Sequence, residues 1–587
     1  MKSFFKMALA SMVGVILSFF VIMILFVIIV IAIASKADDE VEVKANSVLH
    51  IPLDYPVVER GSKDPFDNLH INAFGKSKNV GLNDILAAIK RAKTDDKIKG
   101  IYLDLSTLQA GTATIEEIRN ELIDFKKSKK FVLAYSEVYS KNSYYLASAA
   151  DKVYLNPEGI LEFTGFSSQL MFFKGTLEKL GIEPQVIKVG TYKSAVEPFI
   201  LDKMSDPNRK QVTSFLGSIY DHYLSKIAAA RNISKDSLFN IADQIKVRSP
   251  QDALTYKLVD GLRYKDQVLD ELKSRSGIDK DKEVKSVTLT DYIKNNAAEE
   301  GDYSTRIAVV YASGEITGGE GDDETIGSEK ISKAIRKARM DDKVKAVVLR
   351  VNSPGGSALA SDVIWREVVL TKKVKPVIVS MGDLAASGGY YISCAADSIF
   401  AQPNTITGSI GVFGIIPNMQ NFFNNKLGIT FDGVKTGAHA DLGTVTRPLT
   451  AEEKLIIQNE VNRIYNSFTK RVADGRKKTQ QYVNEIGQGR VWTGSEALKI
   501  GLVDKLGNID DAIRSAAKMA RVSDYRIVSY PVQKEGLGAL FDKSGDKLRV
   551  YFAKKELGDQ YEYYQKIKAA INLKGIQTRM PFDISLQ

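Results

Sequence analysis

The amino-acid sequence predicts an α/β fold of two homologous tandem domains, each a mostly parallel sheet with flanking helices, behind an apolar N-terminal helix. The main observation is an internal repeat. The stretch GLNDILAAIKRAKTDDKIKGIYLDLS begins at Gly81, and its counterpart GSEKISKAIRKARMDDKVKAVVLRVN begins at Gly327. A later match, SPQDALTYKLVD ending at Asp260 against TGSEALKIGLVD ending at Asp504, keeps nearly the same offset. A chain of 587 residues is also too long for one ordinary core, so two domains are expected.

Each repeat alternates helical and strand-like segments. ILAAIKRAK and TIEEIRNELIDFKKS have the apolar spacing of helices, whereas KGIYLDLS and KFVLAYS are short runs rich in strand-forming residues. Strand–helix–strand units in series favour a parallel sheet covered by helices. In such folds, function gathers in the loops beyond the carboxyl ends of the strands.

These patterns divide the chain into six parts. We expect a cytoplasmic N-terminus at 1–6, a transmembrane anchor at 7–35, an N-terminal domain at 47–280, a linker at 281–304, a C-terminal domain at 305–535 and a C-terminal extension at 536–587. The sequence gives no role for the extension, which is rich in Lys and Tyr.

The anchor is predicted from an apolar run without charges between Met7 and Ser35. It exceeds the roughly 20 residues that span a bilayer. Lys2 and Lys6 precede it and acidic residues follow it, so the positive-inside bias places the start of the chain in the cytoplasm and the folded domains outside. A cleaved signal peptide is the alternative, but the run is long for one.

Composition argues against several other classes of site. The formal net charge is +10, but the basic residues are scattered, so a nucleic-acid partner is not expected. Cys394 is the only cysteine, which excludes an intrachain disulfide and favours a small core residue. No cluster of His, Cys, Asp and Glu has metal-ligand spacing, so we expect neither a metal nor a cofactor.

Two glycine pairs stand at strand-to-helix turns of the second repeat. Gly355 and Gly356 follow the strand-like AVVLRV, where backbone N–H groups without a neighbouring Cβ can approach an oxyanion. A plain tight turn is the alternative. The first repeat has Gln109 and Ala110 at these positions, so the fold alone does not require the glycine pair.

The second pair follows a serine in DLAASGGYY. Ser387 precedes Gly388 and Gly389, an arrangement that can expose a nucleophile at the start of a helix, although a helix N-cap is the alternative. The matching residue of the first repeat is Lys141. None of the four histidines (His50, His70, His222 and His439) lies in a catalytic motif. A lysine whose pKa is lowered by burial is the remaining common base.

Four motifs together resemble the signal peptide peptidase A family, also called protease IV, in its long duplicated bacterial form: VNSPGGS, DLAASGGYY, TGSIGV at 407–412 and VGTYKSAVEPF at 189–199. The resemblance implies a ClpP/crotonase-like fold for each domain and peptide-bond hydrolysis by a Ser–Lys dyad. It implies that Ser387 is the nucleophile, Lys193 the general base and Ser409 an auxiliary serine that positions the lysine. It also implies an oxyanion hole at Gly355 and Gly388.

The same resemblance implies the setting of the enzyme. We expect a serine endopeptidase of the bacterial inner membrane, single-pass, with its catalytic domains on the extracytoplasmic side. Its expected partners are cleaved signal peptides and other unfolded apolar peptides, the lipid bilayer, and further copies of itself in a homo-oligomer, a tetramer by resemblance. No cofactor is implied.

The two repeats have lost complementary residues. When they are aligned by the LGI of each half, Lys193 falls on Ala440 of the second repeat, to within a residue or so. Each half thus keeps what the other has lost, which predicts an active site between them. If the second half were active alone, Lys435 would be the first candidate base. Two alternative functions stay open: a crotonase-like acyl-CoA enzyme and a non-catalytic membrane scaffold.

Overall fold

The computed structural model describes residues 2–36, 42–61, 79–105, 108–294, 304–322, 325–533 and 576–580. The predicted linker is therefore described only in part, and most of the predicted extension at 536–587 lies outside the described residues. The α-helices of the described residues are α1 (Lys2–Lys36), α2 (Leu82–Thr94), α3 (Thr112–Lys126), α4 (Lys141–Ala147), α5 (Lys174–Leu180), α6 (Glu197–Ile200), α7 (Asp206–Arg231), α8 (Lys235–Asp243), α9 (Pro250–Thr255), α10 (Lys265–Ser276), α11 (Leu289–Lys294), α12 (Ser328–Met340), α13 (Ala358–Lys372), α14 (Gly388–Ser393), α15 (Ala451–Arg476), α16 (Gln480–Ile486), α17 (Gly494–Lys499) and α18 (Ile509–Ala520).

The strands follow the predicted repeat. In chain order they are β1 (Ser47–Ile51), β2 (Val57–Val58), β3 (Val80–Gly81), β4 (Ile98–Asp104), β5 (Phe131–Tyr139), β6 (Lys152–Leu161), β7 (Glu183–Val189), β8 (Gly261–Leu262), β9 (Ser286–Thr288), β10 (Arg306–Ser313), β11 (Glu315–Thr317), β12 (Thr325–Gly327), β13 (Val344–Ser353), β14 (Gly355–Ser357), β15 (Val377–Ala386), β16 (Ser398–Ala401), β17 (Ile406–Gly408), β18 (Val412–Asn418), β19 (Val491–Thr493), β20 (Lys505–Leu506), β21 (Arg526–Tyr530) and β22 (Ile576–Arg579).

Two main sheets repeat the same design. The first has the order β8-β6-β5-β4-β1-β9 and is parallel throughout, and the second has the order β19-β17-β15-β13-β10-β21, with β16 and β20 attached beside β15. Among the described strands of the second sheet, only β17 and β19 pair in the antiparallel sense. The predicted α/β fold with two mostly parallel sheets is therefore confirmed.

Helix α2 and its repeat α12 illustrate why these segments are helical. Leu82, Ile85 and Ile89 recur at the three- and four-residue spacing that places them on one buried face, and Ile331 and Ile335 do the same in α12. Both helices are followed by an aspartate whose carboxylate accepts the backbone N–H two residues later, so the turn into the next strand is the same in both repeats.

Equivalent side-chain hydrogen bonds confirm the duplication in three dimensions. In the first half the Tyr144 hydroxyl donates to the carbonyl of Leu258 at 2.7 Å, and in the second half Tyr390 donates to Leu502 at 2.8 Å. These tyrosines lie in the two copies of the repeat that carry Lys141 and Ser387. The two loops are thus supported by the same scaffold, although their chemistry differs.

The predicted domain limits differ from the observed elements. Strand β9 and helix α11 fall inside the predicted linker at 281–304, yet β9 pairs with β1 and therefore belongs to the first sheet. Strand β7 also departs from the expected division, because it belongs by sequence to the first half but pairs with β18 of the second. Both differences arise from hydrogen bonds between strands that are distant in sequence. Such pairing cannot be predicted from the local amino-acid composition.

The two halves share one continuous interior. A single cluster of buried residues includes Leu103 and Ile118 of the first half together with Val348 and Ile513 of the second. Arg350 on β13 forms buried ion pairs with Glu59, at 2.7 Å, and with Glu117 on α3, at 2.8 Å. The halves are therefore joined by apolar packing and by paired charges.

Among the residues that the structure describes, no helix combines the length and the apolar character needed to cross a membrane.

Candidate active site

Ser387 occupies the turn between strand β15 and helix α14. Its backbone has φ 55° and ψ −111°, a conformation that non-glycine residues rarely adopt and that is often found where a side chain has a functional role. The Ser387 N–H donates to the carbonyl of Gly408 at 2.8 Å, which ties the turn to strand β17. The hydroxyl does not cap α14, so the alternative interpretation as an N-cap is not what the structure shows.

Lys193 reaches the same place from the other half of the chain. Strand β7 pairs antiparallel with β18, and their register sets Val189 opposite Val412. The chain then turns at Gly190, which has φ 111°, and the Tyr192 N–H donates to the carbonyl of Gln488 at 2.8 Å. The pairing of β7 with β18 thus carries the lysine into the second half.

The amine of Lys193 lies among two serines. Its Nζ lies within hydrogen-bond distance of the Ser387 Oγ, at 3.0 Å, and of the Ser409 Oγ, at 3.1 Å, and the Ser409 carbonyl oxygen lies 3.4 Å away. All three residues have 0% exposed surface. The structure therefore brings together the three side chains that the resemblance assigned to catalysis.

The environment of Lys193 favours the neutral amine. Burial holds the pKa of Lys193 well below its ordinary value near 10.5, because an ammonium loses its hydration in this interior. The ring of Phe413 lies 5.8 Å from the amine and adds to the apolar surroundings. A neutral amine at hydrogen-bond distance from a serine hydroxyl can accept its proton.

Two glycines make room for the lysine. A Cβ on Gly489, which has φ 79°, would lie 2.7 Å from the Lys193 Cα, and a Cβ on Gly411 would lie 3.1 Å from its Cδ. Neither glycine was predicted to belong to the site. Gly411 lies within the TGSIGV motif, but nothing in the sequence around Gly489 indicates that it faces a residue almost three hundred positions earlier.

The two glycines of the predicted oxyanion hole are neighbours. A Cβ on Gly388 would lie 3.1 Å from the Gly355 Cα, and a Cβ on Gly355 would lie 2.7 Å from the Gly388 nitrogen. Gly355 has φ 98° and its N–H donates to the Ser353 Oγ at 3.1 Å. The loop before α13 and the turn at Ser387 thus approach closely only because side chains are missing.

The counterpart positions of the two repeats carry different groups. Lys141, which matches Ser387, is the first residue of α4, and its amine lies 3.7 Å from a Glu162 carboxylate oxygen. Lys435, the predicted fallback base, instead pairs with Asp441 at 2.6 Å on an exposed segment. Ala440, which matches Lys193, is exposed as well.

The three described histidines are engaged elsewhere, and His70 lies outside the described residues. His50 pairs with Asp104 and His222 with Glu116, each at 3.2 Å, and His439 lies 3.6 Å from Glu452. In the described residues no three His, Cys, Asp or Glu side chains are grouped so as to hold a metal ion. Cys394 is buried, as predicted, and burial raises the pKa of its thiol to about 12.

Asp383 is a positioning residue that sequence reasoning missed. It lies in the DLAASGG stretch, but its carboxylate accepts the N–H groups of Ala113 and Thr114 at 2.8 and 3.0 Å, at the start of helix α3 in the first half. The Thr114 hydroxyl also donates to it, at 2.6 Å. Carboxylates satisfy the free N–H groups of a helix start. The aspartate therefore fastens the nucleophile loop to the other half.

Comparison with known proteins points to a peptidase. The model of "Peptidase family S49" matches the chain twice, at residues 124–279 and 370–523. "Protease 4" of Salmonella typhi is 40% identical over 80% of this chain and 76% of its own length. "Protease 4" of Haemophilus influenzae is 38% identical over 75% of this chain and 73% of its own, and "Serine protease SPPA, chloroplastic" of Arabidopsis thaliana is 35% identical over 74% and 64%.

Among solved structures, a point mutant of ClpP1 from Listeria monocytogenes matches 35% of this chain and 94% of its own, at 18% identity and a TM-score of 0.24. A score this low carries no argument about the fold.

Proposed function

We propose that this chain, a serine peptidase that belongs to peptidase family S49, hydrolyses peptide bonds with Ser387 as nucleophile and Lys193 as general base. The observation that carries the proposal is the hydrogen-bond distance of 3.0 Å between the lysine amine and the serine hydroxyl, two groups on residues with no exposed surface. The match to the family supports the reaction class, and the geometry supports the roles.

The proposed steps follow from the positions of the groups. The neutral amine of Lys193 takes the proton of the Ser387 hydroxyl while Oγ forms a bond to the substrate carbonyl carbon. The oxygen of that carbonyl gains negative charge, which the N–H of Gly388 would stabilise, together with the N–H of Gly355 once it turns from the Ser353 Oγ to the substrate. When the C–N bond breaks, the ammonium returns the proton to the leaving amine, and water then hydrolyses the acyl-serine ester by the same route.

Ser409 would act on the lysine and not on the substrate. Its hydroxyl and carbonyl oxygens both lie within 3.4 Å of the Lys193 amine, so they direct two of its hydrogens and leave its lone pair free to face Ser387. This fits the auxiliary role that the resemblance implied.

The setting of the enzyme is part of the proposal. The apolar run from Met7 to Ser35 and the acidic residues after it support a single-pass anchor with extracytoplasmic domains. Signal peptides released into that membrane, which are apolar and unfolded, are the proposed substrates, and a homo-oligomer, a tetramer by resemblance, is the proposed assembly. The ClpP/crotonase-like character of each domain also rests on the resemblance.

A covalent probe and a peptide substrate test the assignment together. A fluorophosphonate probe followed by peptide mapping should label Ser387. Ser387→Ala and Lys193→Ala should each reduce kcat by about 10³-fold or more on a fluorogenic apolar peptide, the scale of losing a catalytic group. Lys141→Ala, at the matching position of the other repeat, is the control and should keep its activity. Labelling of a different serine, or a Lys193→Ala variant of nearly native kcat, would disprove the dyad.

A further inference from the structure

Strand β22, which is far along the sequence, lies next to the candidate active site. Strand β22 inserts between β14 and β18 in the third sheet, whose order is β12-β11-β14-β22-β18-β7, and it is antiparallel to both neighbours. Strand β14 carries the glycine pair next to the nucleophile, and β18 begins just after the Ser409 loop. A short segment from the far end of the sequence thus lies between the two loops that form the site.

Thr578 lies directly against the glycines. It is opposite Gly356 in the ladder, has no exposed surface, and its hydroxyl donates to the Gly356 carbonyl at 3.1 Å. A Cβ on Gly388 would lie 3.0 Å from the Thr578 Oγ1, and a Cβ on Gly355 would overlap the Thr578 carbonyl oxygen. The space that the missing side chains leave is therefore filled by the main chain of an extended peptide.

Met580 fills an apolar pocket next to the nucleophile. Its N–H donates to the Pro354 carbonyl at 2.7 Å, and its surface is 3% exposed. The side chain belongs to an apolar cluster that also contains Ala386, the residue before Ser387. The other buried members of this cluster are Val212, Phe215, Ile219, Ile406 and Val491. An apolar side chain beside the nucleophile, on a strand bonded to β14, is the placement expected of a bound substrate.

We propose that residues 576–580 act as a built-in competitor that occupies the peptide-binding groove until a substrate displaces it. Pairing of an extended peptide with the strands of a sheet, including insertion between two strands, is a known mode of peptide binding, with affinity from the main chain and selectivity from side-chain pockets. The residue after Met580 is Pro581, which has no N–H and a fixed φ. The bond between Met580 and Pro581 is therefore a tertiary amide, and we expect the segment to stay bound without being hydrolysed there.

The expected effect on KM follows from the covalent link between residues 576–580 and the rest of the enzyme. A segment on the same chain has an effective concentration on the order of 1 mM. If the free segment binds with a dissociation constant of about 0.1 mM, the competitor raises the apparent KM about tenfold, since occupancy scales with their ratio. This inference rests on the proposed function only through its kinetic test.

The kinetic test uses the full-length enzyme. Met580→Asp places a charge in the apolar pocket, and Thr578→Pro removes an N–H and the hydroxyl bond to Gly356. Either change should lower KM for a fluorogenic peptide about tenfold with kcat within about twofold. Met340→Asp makes the same chemical change at a methionine that is 72% exposed at the end of α12, and should alter neither. An unchanged KM in both Met580→Asp and Thr578→Pro would disprove competition by residues 576–580.

A binding test separates this inference from the proposed chemistry. A fluorescein-labelled peptide of residues 574–584 is titrated into full-length Ser387→Ala protein, with and without Met580→Asp, and followed by anisotropy. Binding should be about tenfold tighter when the tail carries the aspartate. If binding is tighter in that variant but no variant hydrolyses peptides, the inference that residues 576–580 compete with substrate is supported and the proposed function is disproved. Equal binding to both proteins, or release of residues 581–587 from the native enzyme, would overturn the competitor while leaving the peptidase intact.

Discussion

The amine of Lys193 lies 3.0 Å from the hydroxyl oxygen of Ser387, although the two residues are 194 positions apart and come from different copies of the repeat. Neither copy holds both groups, since Lys141 replaces the serine in the first and Ala440 matches the lysine in the second. The site consequently depends on the interface between the halves. An ancestral oligomer could have paired the serine of one subunit with the lysine of its neighbour, and fusion would then have made one copy of each group redundant.

Burial of the lysine should cost stability in a way that depends on pH. The folded state holds the pKa of Lys193 well below 10.5, so between that lowered pKa and 10.5 the unfolded chain binds one proton more. Stability from this group therefore rises with pH across that window. We expect Lys193→Met, which replaces the amine with an apolar chain of similar length, to raise Tm, and to raise it more at pH 6 than at pH 9. Differential scanning calorimetry measures both.

Lys188→Met is the matched control for this experiment, because it removes an amine a few residues earlier whose side chain is not fully buried. Its effect on Tm should be small and nearly the same at both pH values. A Tm gain for Lys193→Met that did not depend on pH would mean that the amine is protonated in the folded state, contrary to the burial argument.

The pH profile of hydrolysis should report the same lysine. Because the neutral amine is the active form, kcat/KM should rise with pH and level off above the lowered pKa of Lys193. Ser409→Ala removes an acceptor that stabilises the ammonium, so the inflection should move to lower pH. Loss of this hydrogen bond should also reduce kcat about tenfold. Stopped-flow or plate assays from pH 5 to 10 give the inflection pH and kcat. A shift of the inflection to higher pH in Ser409→Ala would contradict the assignment of Lys193 as the donor to Ser409.

Gly489 should be needed for the position of the lysine. Gly489→Ala would place a Cβ 2.7 Å from the Lys193 Cα at a φ of 79°, so the backbone of one loop has to shift. A displacement of about 1 Å in a catalytic group costs about 10²-fold, and we expect a loss of this size in kcat with KM little changed. Gly217→Ala, inside helix α7 with no heavy atom within 4 Å, should keep full activity and gain up to about 1 kcal/mol of stability. Equal activities of the two variants would contradict the steric role.

Much of the fold and the site was predictable because it leaves local or repeated signals. The two copies of the repeat indicated two similar parallel sheets, and the glycines after Ser387 indicated the unusual turn. Lys193 has no local signal of its own, and only the resemblance and the complementary loss indicated it. Asp383 and Gly489 act on residues of the other half, and their partners follow from packing alone. Strand β22 was not predicted, because a strand of four residues in a polar tail looks like any exposed segment until its partner strands are known.

The ion pairs between the halves lead to the last prediction. Arg350 has no exposed surface and lies between Glu59 and Glu117, and burial raises the pKa of Glu117 to about 7 even with the guanidinium present. Arg350→Met would leave two buried carboxylates without their cation, so the pKa of Glu117 should rise further. Removing one partner of a buried pair costs about 3–5 kcal/mol, and the cost falls when the remaining charge is neutralised.

The sign of the pH effect follows from proton binding. In Arg350→Met the folded state binds more protons than the unfolded chain between pH 4.5, the ordinary pKa of the carboxyl, and its raised value, so the stability of the variant falls as pH rises. Because this raised value lies above the pKa of about 7 that Glu117 has in the native protein, urea denaturation should show a larger loss of stability at pH 8 than at pH 5. Arg463→Met breaks an exposed pair with Glu460 and should cost less than about 1 kcal/mol at either pH. Because the same interface aligns Lys193 with Ser387, kcat of Arg350→Met should fall most at pH 8, where the halves are least firmly joined. An equal loss of stability at both pH values would mean that removal of the arginine does not raise the pKa of Glu117 further.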